Sequence, residues 1–216
     1  MTVLFRTENE VALAIPQVIA HLRAGGLIGY PTETVYGLGS LATDAGLDAL
    51  ARLKGRPPRK PFLLLIADRA MAERHGLVFT PAAQAMATAF WPGALTLVLP
   101  GGEQQLPTRL RGAEGGIAVR HTSHVGMATL IAALGEPVTS TSANRPGGPA
   151  APGAAALVEL FSDAVVRKEL LVLDGGVLGN VPPSTLVDCT GAVPTMIRDG
   201  AIPREELRRG VGRFAP

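Results

Sequence analysis

The chain has 216 residues, of which 47% are hydrophobic and 18% are charged, and its formal net charge is only +2. This composition supports a sizeable core in one large domain or two small ones, and the mild charge gives no global argument for nucleic-acid binding. The single cysteine, Cys189, excludes an intrachain disulfide and fits a reducing compartment. We find no signal-peptide pattern and no apolar run near the ~20 residues of a membrane span, which predicts a cytoplasmic protein without membrane contact.

Strand and helix patterns alternate along most of the chain. Strands are predicted at 3–5, 27–30, 62–66, 95–99, 117–120, 137–141, 170–174, 185–188 and 195–198. Helices are predicted from an N-cap at Asn9 to the Gly25-Gly26 pair, and at 47–54, 70–75, 81–90, 124–134, 154–161 and 204–213. Pro16 should kink the first helix or mark its start, and the polar segment 104–116 should be an exposed loop. The alternation predicts an α/β protein, and two late strands with no clear helix between them indicate a mixed sheet.

The stretch 30–39 reads Tyr-Pro-Thr-Glu-Thr-Val-Tyr-Gly-Leu-Gly and follows a predicted strand. Thr32 and Thr34 supply hydroxyl groups, while Gly37 and Gly39 would let a ligand approach the backbone closely. Hydroxyl groups and glycines at a strand end are typical of small-molecule sites in α/β proteins.

A basic run follows that stretch. It holds five cations in nine residues, namely Arg52, Lys54, Arg56, Arg59 and Lys60. Two of the chain's three lysines lie in this run, and no acidic residue falls within it to neutralise the charge. A planar Arg fork and a Lys point charge suit phosphate or carboxylate, so we predict an anion clamp at Lys54 and Arg56. The alternative is a solvated basic surface, which most charge runs form.

Further polar residues lie at predicted strand ends. They are Arg120, Ser140, Ser142, Asn144, Ser184 and Arg198. Hydroxyl and carboxamide groups can hydrogen-bond phosphate oxygens or a base edge without adding charge. Ordinary strand-to-turn transitions use the same residue types, and surface arginines are common, so each is a weak signal alone.

Several other sites are poorly supported. The chain contains no G-x-x-x-x-G-K-[ST] loop, and the G-x-G-x-x-A match at 37–42 lies away from its strand and opens no clear helix. His121 and His124 have i,i+3 spacing without a third nearby ligand, so no metal site is predicted. Cys189 ends an apolar run and should be buried rather than nucleophilic.

Taken together, these stretches resemble the YrdC/Sua5 family, the threonylcarbamoyl-AMP synthases of tRNA modification. The family pattern is Y-P-T-[ED]-T-x-Y-G-L, then K-x-R, S-x-N, S-T-[VL]-x-D, and an arginine before a glycine. The matching segments, in this order, are 30–38, Lys54/Arg56, Ser142/Asn144, 184–188 and Arg198. The resemblance spans about 22–202 and includes the K-x-R and S-x-N pairs that a related paralogue group lacks. The segment 120–124 departs from the family's usual arginine-then-proline turn.

The resemblance implies a YrdC-like α/β fold with a twisted mixed parallel and antiparallel sheet, flanking helices and a basic concave cleft. It predicts a single domain over 1–216, with a basic tail at 203–216 and without the extra C-terminal domain of the longer Sua5 type. The implied reaction joins L-threonine, bicarbonate or CO2, and ATP into threonylcarbamoyl-AMP and pyrophosphate. Mg2+ would accompany ATP without a protein-bound metal site, and a partner complex would transfer the threonylcarbamoyl group to adenosine 37 of tRNA.

The resemblance also implies roles for the candidate residues. Lys54 and Arg56 are expected to contact the phosphates and the carbamate and to carry catalysis. The expected threonine-binding residues are Thr34, Arg59, Arg120 and Ser140. The expected nucleotide-binding residues are Lys54, Arg56, Ser142, Asn144, Ser184 and Arg198. Clustered cations would offset the repulsion between two anionic reactants, and part of the segment 56–61 would close over the labile intermediates.

Two other functions remain open at this point. A double-stranded RNA or tRNA-binding module without synthase activity would lay the basic run along a phosphate backbone, although 4% aromatic content is unfavourable for single-strand stacking. A carbamoyl-transfer domain of hydrogenase maturation would share the implied fold, but the chain shows no flanking acylphosphatase or zinc-finger segments.

Overall fold

A computed structural model of the protein describes residues 1–55, 61–113 and 115–211. Its strands are β1 (Thr2–Leu4), β2 (Leu27–Tyr30), β3 (Gly37–Gly39), β4 (Leu63–Ile66), β5 (Leu95–Leu99), β6 (Ile117–His121), β7 (Val138–Ser142), β8 (Leu170–Asp174), β9 (Thr185–Asp188) and β10 (Thr195–Arg198). Its helices are α1 (Glu8–Arg23), α2 (Asp44–Lys54), α3 (Arg69–Arg74), α4 (Pro81–Phe90), α5 (Val125–Leu134), α6 (Ala154–Leu160), α7 (Ser162–Val166) and α8 (Arg204–Val211), with a short 3-10 helix at Thr108–Leu110. Every predicted strand is present, whereas β3 and α7 were not predicted.

Across the described ranges, the strands form one ten-stranded sheet in the order β1-β8-β2-β3-β7-β4-β6-β5-β9-β10. β1 and β2 both run parallel to β8, whereas β3 is antiparallel to its two neighbours, β2 and β7. β4 is parallel to β6 and antiparallel to β7, and β5 is antiparallel to β6. This mixed sheet with its flanking helices confirms the predicted α/β class.

The centre of the sheet is the core of the protein. All residues of β2 and β5 are buried, as are most of β8, which is typical of strands covered on both faces. Helix α1 packs on α5, and α4 packs on α8. At one edge of the sheet, β10 is largely exposed. In the part of the chain that the structure describes, none of the helices combines the length and the apolar character that crossing a bilayer requires.

Helix α1 begins at a different residue from the one predicted. Its N-cap is Thr7, whose Oγ1 accepts a hydrogen bond from Glu10 N at 3.3 Å, while the Glu10 carboxylate accepts one from Thr7 N at 3.0 Å. This capping box satisfies two backbone donors at once, so Thr7 is favoured over Asn9, and the predicted N-cap was wrong. Pro16 lies inside the continuous helix and does not mark its start.

Helix α2 carries a candidate residue into the protein. Thr43 caps its first turn, and Gly55 ends it in the left-handed conformation at a φ of 56°. Leu47 and Leu50 lie on its buried face, and Lys54 continues that face with only 5% exposure. The apolar spacing of the helix therefore directs the lysine inward rather than into solvent.

The segment 104–116 is less exposed than predicted. Leu106 and Leu110 are buried, at 6% and 0% exposure. Arg109 in the 3-10 helix donates a hydrogen bond to the Asp48 carboxylate on α2. The prediction of an exposed loop holds for several described residues of the segment, but it was wrong for Leu106 and Leu110, which anchor the segment to the core.

Candidate functional site

Thr32 organises the loop 31–36, which follows β2. Its Oγ1 accepts hydrogen bonds from the N–H groups of Thr34 at 3.2 Å and Val35 at 3.1 Å, and donates to Val35 O at 2.7 Å. It also lies 3.0 Å from Thr34 Oγ1. Both threonine side chains are buried, so this hydroxyl-centred turn holds the Thr34 hydroxyl in a fixed position.

The glycines after this loop have a packing role. A Cβ on Gly39 would lie 2.1 Å from Thr139 O, and a Cβ on Gly37 would lie 2.9 Å from the Tyr30 ring. Close pairing of β3 with its neighbours therefore requires these glycines. The protein fills the space in which side chains at these positions would lie, and a close approach of a ligand to this backbone stays a prediction.

Arg120, in β6, is buried at 5% exposure and joins that strand to the loop 31–36. Its Nε donates to Gly93 O at 3.1 Å, and its Nη1 donates to Thr34 Oγ1 at 3.1 Å. Its Nη2 forms an ion pair with Glu33 Oε1 at 2.7 Å. Nη2 is sealed from solvent, so this ion pair is shielded from water.

Glu33 ties the same loop to the segment before α5. Its Oε2 accepts a hydrogen bond from Thr122 Oγ1 at 2.5 Å, and its Oε1 accepts one from Ser123 N at 3.2 Å. Burial alone raises the pKa of Glu33, but the Arg120 charge and the Thr122 hydroxyl outweigh it, so the pKa lies below its ordinary value of 4.5. The carboxylate is therefore ionised at neutral pH. We call Glu33, Thr34, Arg120 and Thr122 the arginine cluster.

Lys54 binds the end of β7. Its Nζ donates to Ser142 O at 2.8 Å, to Asn144 O at 2.5 Å and to Asn144 Oδ1 at 2.6 Å. Ser142 Oγ donates to the same Oδ1 at 2.7 Å, and Asn144 Nδ2 donates to Gly148 O at 2.6 Å. An ammonium has three protons, and these protein oxygens can accept all of them. We call Lys54, Ser142 and Asn144 the lysine cluster.

Arg198, at the end of β10, contacts the residue that precedes β9. Its Nη2 donates to Ser184 O at 2.8 Å and to Ser184 Oγ at 3.3 Å. Ser184 Oγ lies 2.8 Å from Thr96 Oγ1 in β5. A register shift between Met196 and Arg198 breaks the alternation of β10, and such a bulge re-aims the side chain that follows it. We call Thr96, Ser184 and Arg198 the serine cluster.

The arginine and serine clusters influence each other electrostatically. Burial raises the pKa of Tyr30 above its ordinary range, while the Ser140 hydroxyl and the Arg120 charge lower it. Burial lowers the pKa of Arg198, and the Arg120 charge lowers it further. These mutual effects place Tyr30, Ser140, Arg120 and Arg198 in one polar region.

Most of the predicted site residues are described and fall into these clusters. The structure brings Thr34 against Arg120, Lys54 against Ser142 and Asn144, and Ser184 against Arg198. Ser140 lies beside Tyr30 rather than within a cluster. Arg56, Arg59 and the predicted closing segment up to residue 60 lie outside the described residues, so their roles stay predictions.

His124 and Cys189, which the sequence analysis considered as a metal ligand and a nucleophile, have structural roles. His124 caps α5, with its Nδ1 accepting a hydrogen bond from Met127 N at 3.3 Å, and its ring stacks on Phe5. Cys189 is fully buried, as predicted, and burial raises the pKa of its thiol to about 12. Within the described ranges, no three His, Cys, Asp or Glu side chains are grouped to hold a metal ion.

Sequence reasoning missed three residues of these clusters. Thr96 could have been found as the one hydroxyl inside an otherwise apolar strand, since a buried hydroxyl needs a partner. Glu33 lies within the recognised stretch, but nothing local shows that it faces an arginine. Thr122 gives no signal in the sequence beyond its place after a predicted strand.

A cavity of ≈ 650 Å³ opens away from these clusters, at the ends of α1 and α2. Its lining includes His21, Arg52, Arg167, Lys168 and Glu169, and none of the predicted site residues. The basic run is thus divided, because Arg52 lines this cavity while Lys54 enters the lysine cluster. The polar clusters, rather than this cavity, are the candidate site.

The fold and the clusters define an α/β protein whose mixed sheet groups hydroxyl side chains with the buried cations Lys54 and Arg120. The Sua5/YciO/YrdC family model, described as "Telomere recombination", matches residues 20–200. The chain therefore belongs to the Sua5/YciO/YrdC family.

Named relatives agree with that assignment. A threonylcarbamoyl-AMP synthase of Pyrococcus abyssi is 34% identical over 194 residues, which cover 89% of this chain and 56% of that protein. A threonylcarbamoyl-AMP synthase of Chromohalobacter salexigens is 38% identical over 181 residues, covering 83% of this chain and 95% of that protein. The crystal structure of P. abyssi Sua5 complexed with L-threonine superposes with a TM-score of 0.89 at 32% identity, covering 99% of this chain and 62% of that one. The chain thus spans little more than half the length of the archaeal relative.

Proposed function

We propose that the chain is an L-threonylcarbamoyladenylate synthase, which makes threonylcarbamoyl-AMP and pyrophosphate from L-threonine, bicarbonate or CO2, and ATP. The observation that carries the proposal is the lysine cluster, in which Lys54 of the K-x-R pair donates to Ser142 and Asn144 of the S-x-N pair. The two motifs therefore act as one unit. The names of the relatives, and the L-threonine bound to P. abyssi Sua5, support the same activity.

The proposed chemistry brings two anions together. The threonine amine and CO2 form a carbamate, and a carbamate oxygen attacks the α-phosphorus of ATP. The bond from that phosphorus to the bridging oxygen breaks, and pyrophosphate leaves. Because the carbamate is already an anion, the step needs fixed positive charge and oriented donors more than a strong base.

The arginine cluster is the proposed threonine site. Arg120 can present N–H groups to the substrate carboxylate, as arginine forks commonly do. Thr34 and Ser140 would add hydroxyl groups close to it, and Arg59 is assigned to the same substrate. Burial of Arg120 strengthens its interaction with an anion, because little water competes with it.

The lysine and serine clusters are the proposed nucleotide site. Ser184 and Arg198 would hold the nucleotide together with Ser142 and Asn144. Lys54 would place positive charge near the phosphates while it fixes the S-x-N segment, and Arg56 would complete the clamp. Mg2+ would arrive with ATP, bound through the phosphate oxygens.

The product also implies partners. Threonylcarbamoyl-AMP is a labile mixed anhydride, so a transferase complex acting on tRNA would have to take it up soon after release. Such an activity belongs in the cytoplasm, where tRNA and ATP are present. Direct tRNA binding by this chain is a separate question, which the experiment below addresses.

The test is product formation. Purified chain is mixed with ATP, Mg2+, L-threonine and labelled bicarbonate at mildly alkaline pH with pyrophosphatase, and early samples are examined by mass spectrometry. Label in an adenylate that depends on both threonine and ATP is the expected result. No product, with tight and salt-sensitive RNA binding by the same preparation, would favour an RNA-binding module instead.

A further inference from the structure

The cavity at the ends of α1 and α2, which we call the helix-end cavity, lies at the opposite edge of the sheet from the arginine cluster. Its lining includes Leu27, the first residue of β2, and Glu169, which precedes β8. These two strands run parallel and start together, since Leu27 pairs with Leu170 and Leu27 N donates to Glu169 O at 2.8 Å. The loop 31–36 follows the other end of β2. A ligand in the helix-end cavity would therefore be separate from one held by that loop.

The helix-end cavity has more cations than carboxylates in its lining. Arg52, Arg167 and Lys168 line it, against the single carboxylate of Glu169. Arg167 already binds that carboxylate, with its Nε 2.9 Å from Oε1 and its Nη2 3.2 Å from Oε2. Among the described residues, neither Arg52 nor Lys168 enters an ion pair. Two of the three cations therefore carry charge that no described carboxylate balances.

The cations come from two parts of the chain yet lie around the same carboxylate. Arg52 is on α2, whereas Arg167 and Lys168 form the turn between α7 and β8. Hydrogen bonds from Arg167 lower the pKa of Glu169, and the charges of Arg167 and Arg52 lower it further. The C-termini of α1 and α7 add partial negative charge, up to about half a unit each. Three cations outweigh these termini and one carboxylate, so the cavity keeps a net positive charge.

The turn that carries Lys168 has an unfavourable backbone conformation. Helix α7 ends in a Schellman motif, in which Lys168 N donates to Val165 O at 3.1 Å and Glu169 N donates to Ala164 O at 2.9 Å. Lys168 occupies the left-handed position of this motif at a φ of 61°, where glycine is the usual residue. Helix α1 ends beside the same cavity with Gly25 in the left-handed conformation, at a φ of 85°. A glycine would relieve the strain at residue 168, so the lysine there indicates a use for its side chain.

The size and lining of the helix-end cavity favour a small ligand that carries a phosphate group. Its volume of ≈ 650 Å³ is in the range of small-molecule pockets. Arginine and lysine together suit phosphate oxygens, and the apolar side chains of Ala49 and Leu53 can contact the organic part of a ligand. An extended RNA backbone would instead need cations spread along a track, whereas these surround one concavity.

We propose that the helix-end cavity is a second anion site, which binds the phosphate group of a small organic phosphate such as a nucleoside monophosphate. Arg52 and Lys168 supply the unbalanced charge, and Arg167 completes the set. The site is independent of the proposed function, because no residue of the three clusters lines the cavity. Arg52 and Lys54 are two residues apart on α2, so this helix serves both sites.

The test uses Lys168 as a reporter, since the chain has only two other lysines, Lys54 and Lys60. Pyridoxal 5′-phosphate condenses with a lysine amine with loss of water, and borohydride reduces the imine to a stable amine. The comparison reagent is 5′-deoxypyridoxal, which has the same aldehyde but no phosphate. Peptide mass spectrometry of the full chain then measures the labelling of each lysine separately. Lys168 should react about 10-fold faster with the phosphate reagent, because bound phosphate holds the aldehyde beside the amine.

Two variants and a competitor locate the phosphate. Arg52→Gln removes one unbalanced cation from an exposed position, so it should fold normally and should abolish most of the advantage of the phosphate reagent. Arg74→Gln changes an exposed arginine on α3, which does not line the cavity, and should keep the full advantage. AMP should slow the labelling of Lys168 by pyridoxal 5′-phosphate in the wild type, and should have little effect in Arg52→Gln.

Three results would overturn the proposal. Equal rates of Lys168 labelling by the two reagents would show that the lysine is merely exposed. An undiminished advantage of the phosphate reagent in Arg52→Gln would show that the cations do not act together. Protection of Lys168 by a short RNA duplex but not by AMP would make this surface an RNA contact instead of a small-ligand site. A chain that forms no adenylate rejects the proposed function alone, since none of these labelling rates depends on synthesis.

Discussion

The Lys54 ammonium and Asn144 Oδ1 lie 2.6 Å apart although 90 residues separate them along the chain. The same ammonium also donates to the backbone carbonyls of Ser142, the last residue of β7, and of Asn144 just beyond it. Lys54 is the last residue of α2 and is only 5% exposed. The helix therefore fixes the position of its ammonium group, unlike that of a mobile surface lysine. The end of α2 and the end of β7 are therefore one rigid unit.

Replacing Lys54 by methionine tests that unit. The apolar chain keeps most of the volume but leaves Asn144 Oδ1 and two carbonyls without this donor. We expect adenylate formation to fall by about 100-fold or more in kcat/KM, since fixed charge near the phosphates is lost. We also expect the free energy of unfolding to fall by about 1–3 kcal/mol, since buried acceptors lose their donor.

Lys168→Met is the matched control for this change. Lys168 is an exposed lysine in the turn between α7 and β8, away from the three clusters. Steady-state kinetics and urea unfolding should leave this variant at wild-type values. Wild-type turnover by Lys54→Met would show that the lysine cluster is not part of the active site.

Thr96 offers a separate test of the serine cluster. Its hydroxyl lies 2.8 Å from Ser184 Oγ in a fully buried position. Thr96→Val keeps the shape and removes that hydrogen bond, so Ser184 should lose its fixed orientation. We expect the KM for ATP to rise by about 10-fold, the equivalent of one buried hydrogen bond, with the KM for threonine unchanged.

Thr96→Ser and Thr129→Val are the comparison variants. Serine at residue 96 retains the hydroxyl and should restore most of the ATP affinity. Thr129 is an exposed threonine on α5, and its change to valine should have no kinetic effect. Equal rises in both KM values for Thr96→Val would indicate general damage to the sheet instead of a local nucleotide effect.

The sequence predicted the strands well because each is a short apolar run bounded by glycine, proline or polar residues. It did not predict β3, whose Gly-Leu-Gly sequence has little apolar content and forms a strand only through its two neighbours. Asn9 was chosen as an N-cap on residue type, but Thr7 and Glu10 together satisfy more donors. In both cases local propensity was not enough: strand pairing with β2 and β7 decided the first structure, and the Thr7–Glu10 capping box decided the second.

The contacts within the candidate site could not be predicted from the sequence. Motif order identified Lys54, Asn144, Ser184 and Arg198, but not which of them touch. The pairing of Lys54 with Asn144 depends on the position of β7 in the sheet, and the aim of Arg198 depends on a register shift in β10. Local sequence patterns predict neither the Lys54–Asn144 contact nor the direction of the Arg198 side chain, because both depend on long-range strand pairing.

Cys189 should be unreactive in the folded protein. Its side chain has 0% exposure, its Sγ lies 4.0 Å from Met86 Sδ, and burial raises the pKa of the thiol to about 12. At pH 8 we expect negligible labelling by a thiol reagent under native conditions and complete labelling in denaturant. Rapid native labelling would contradict the buried position, and Cys189→Ala serves as the blank.

His124 should make the stability of the protein depend on pH near neutrality. Its Nδ1 caps α5 by accepting a hydrogen bond from Met127 N, which a doubly protonated ring cannot do. Burial lowers the pKa of His124 below its ordinary value of 6.5, although the Glu33 carboxylate raises it. Because the unfolded chain binds the proton more readily, stability is full above pH 6.5 and falls as the pH drops through the folded pKa.

His124→Asn separates the cap from the titration. Asparagine is a good N-cap that does not ionise, so between about pH 7 and pH 5 the variant should lose less stability than the wild type. Burial also lowers the pKa of His121, which adds a loss of the same sign and should persist in this variant. Urea unfolding followed by the fluorescence of Trp91, the single tryptophan, measures both effects. If the free energy of unfolding depended on pH in the same way for wild type and His124→Asn, protonation of the His124 ring would not be the cause of the stability loss.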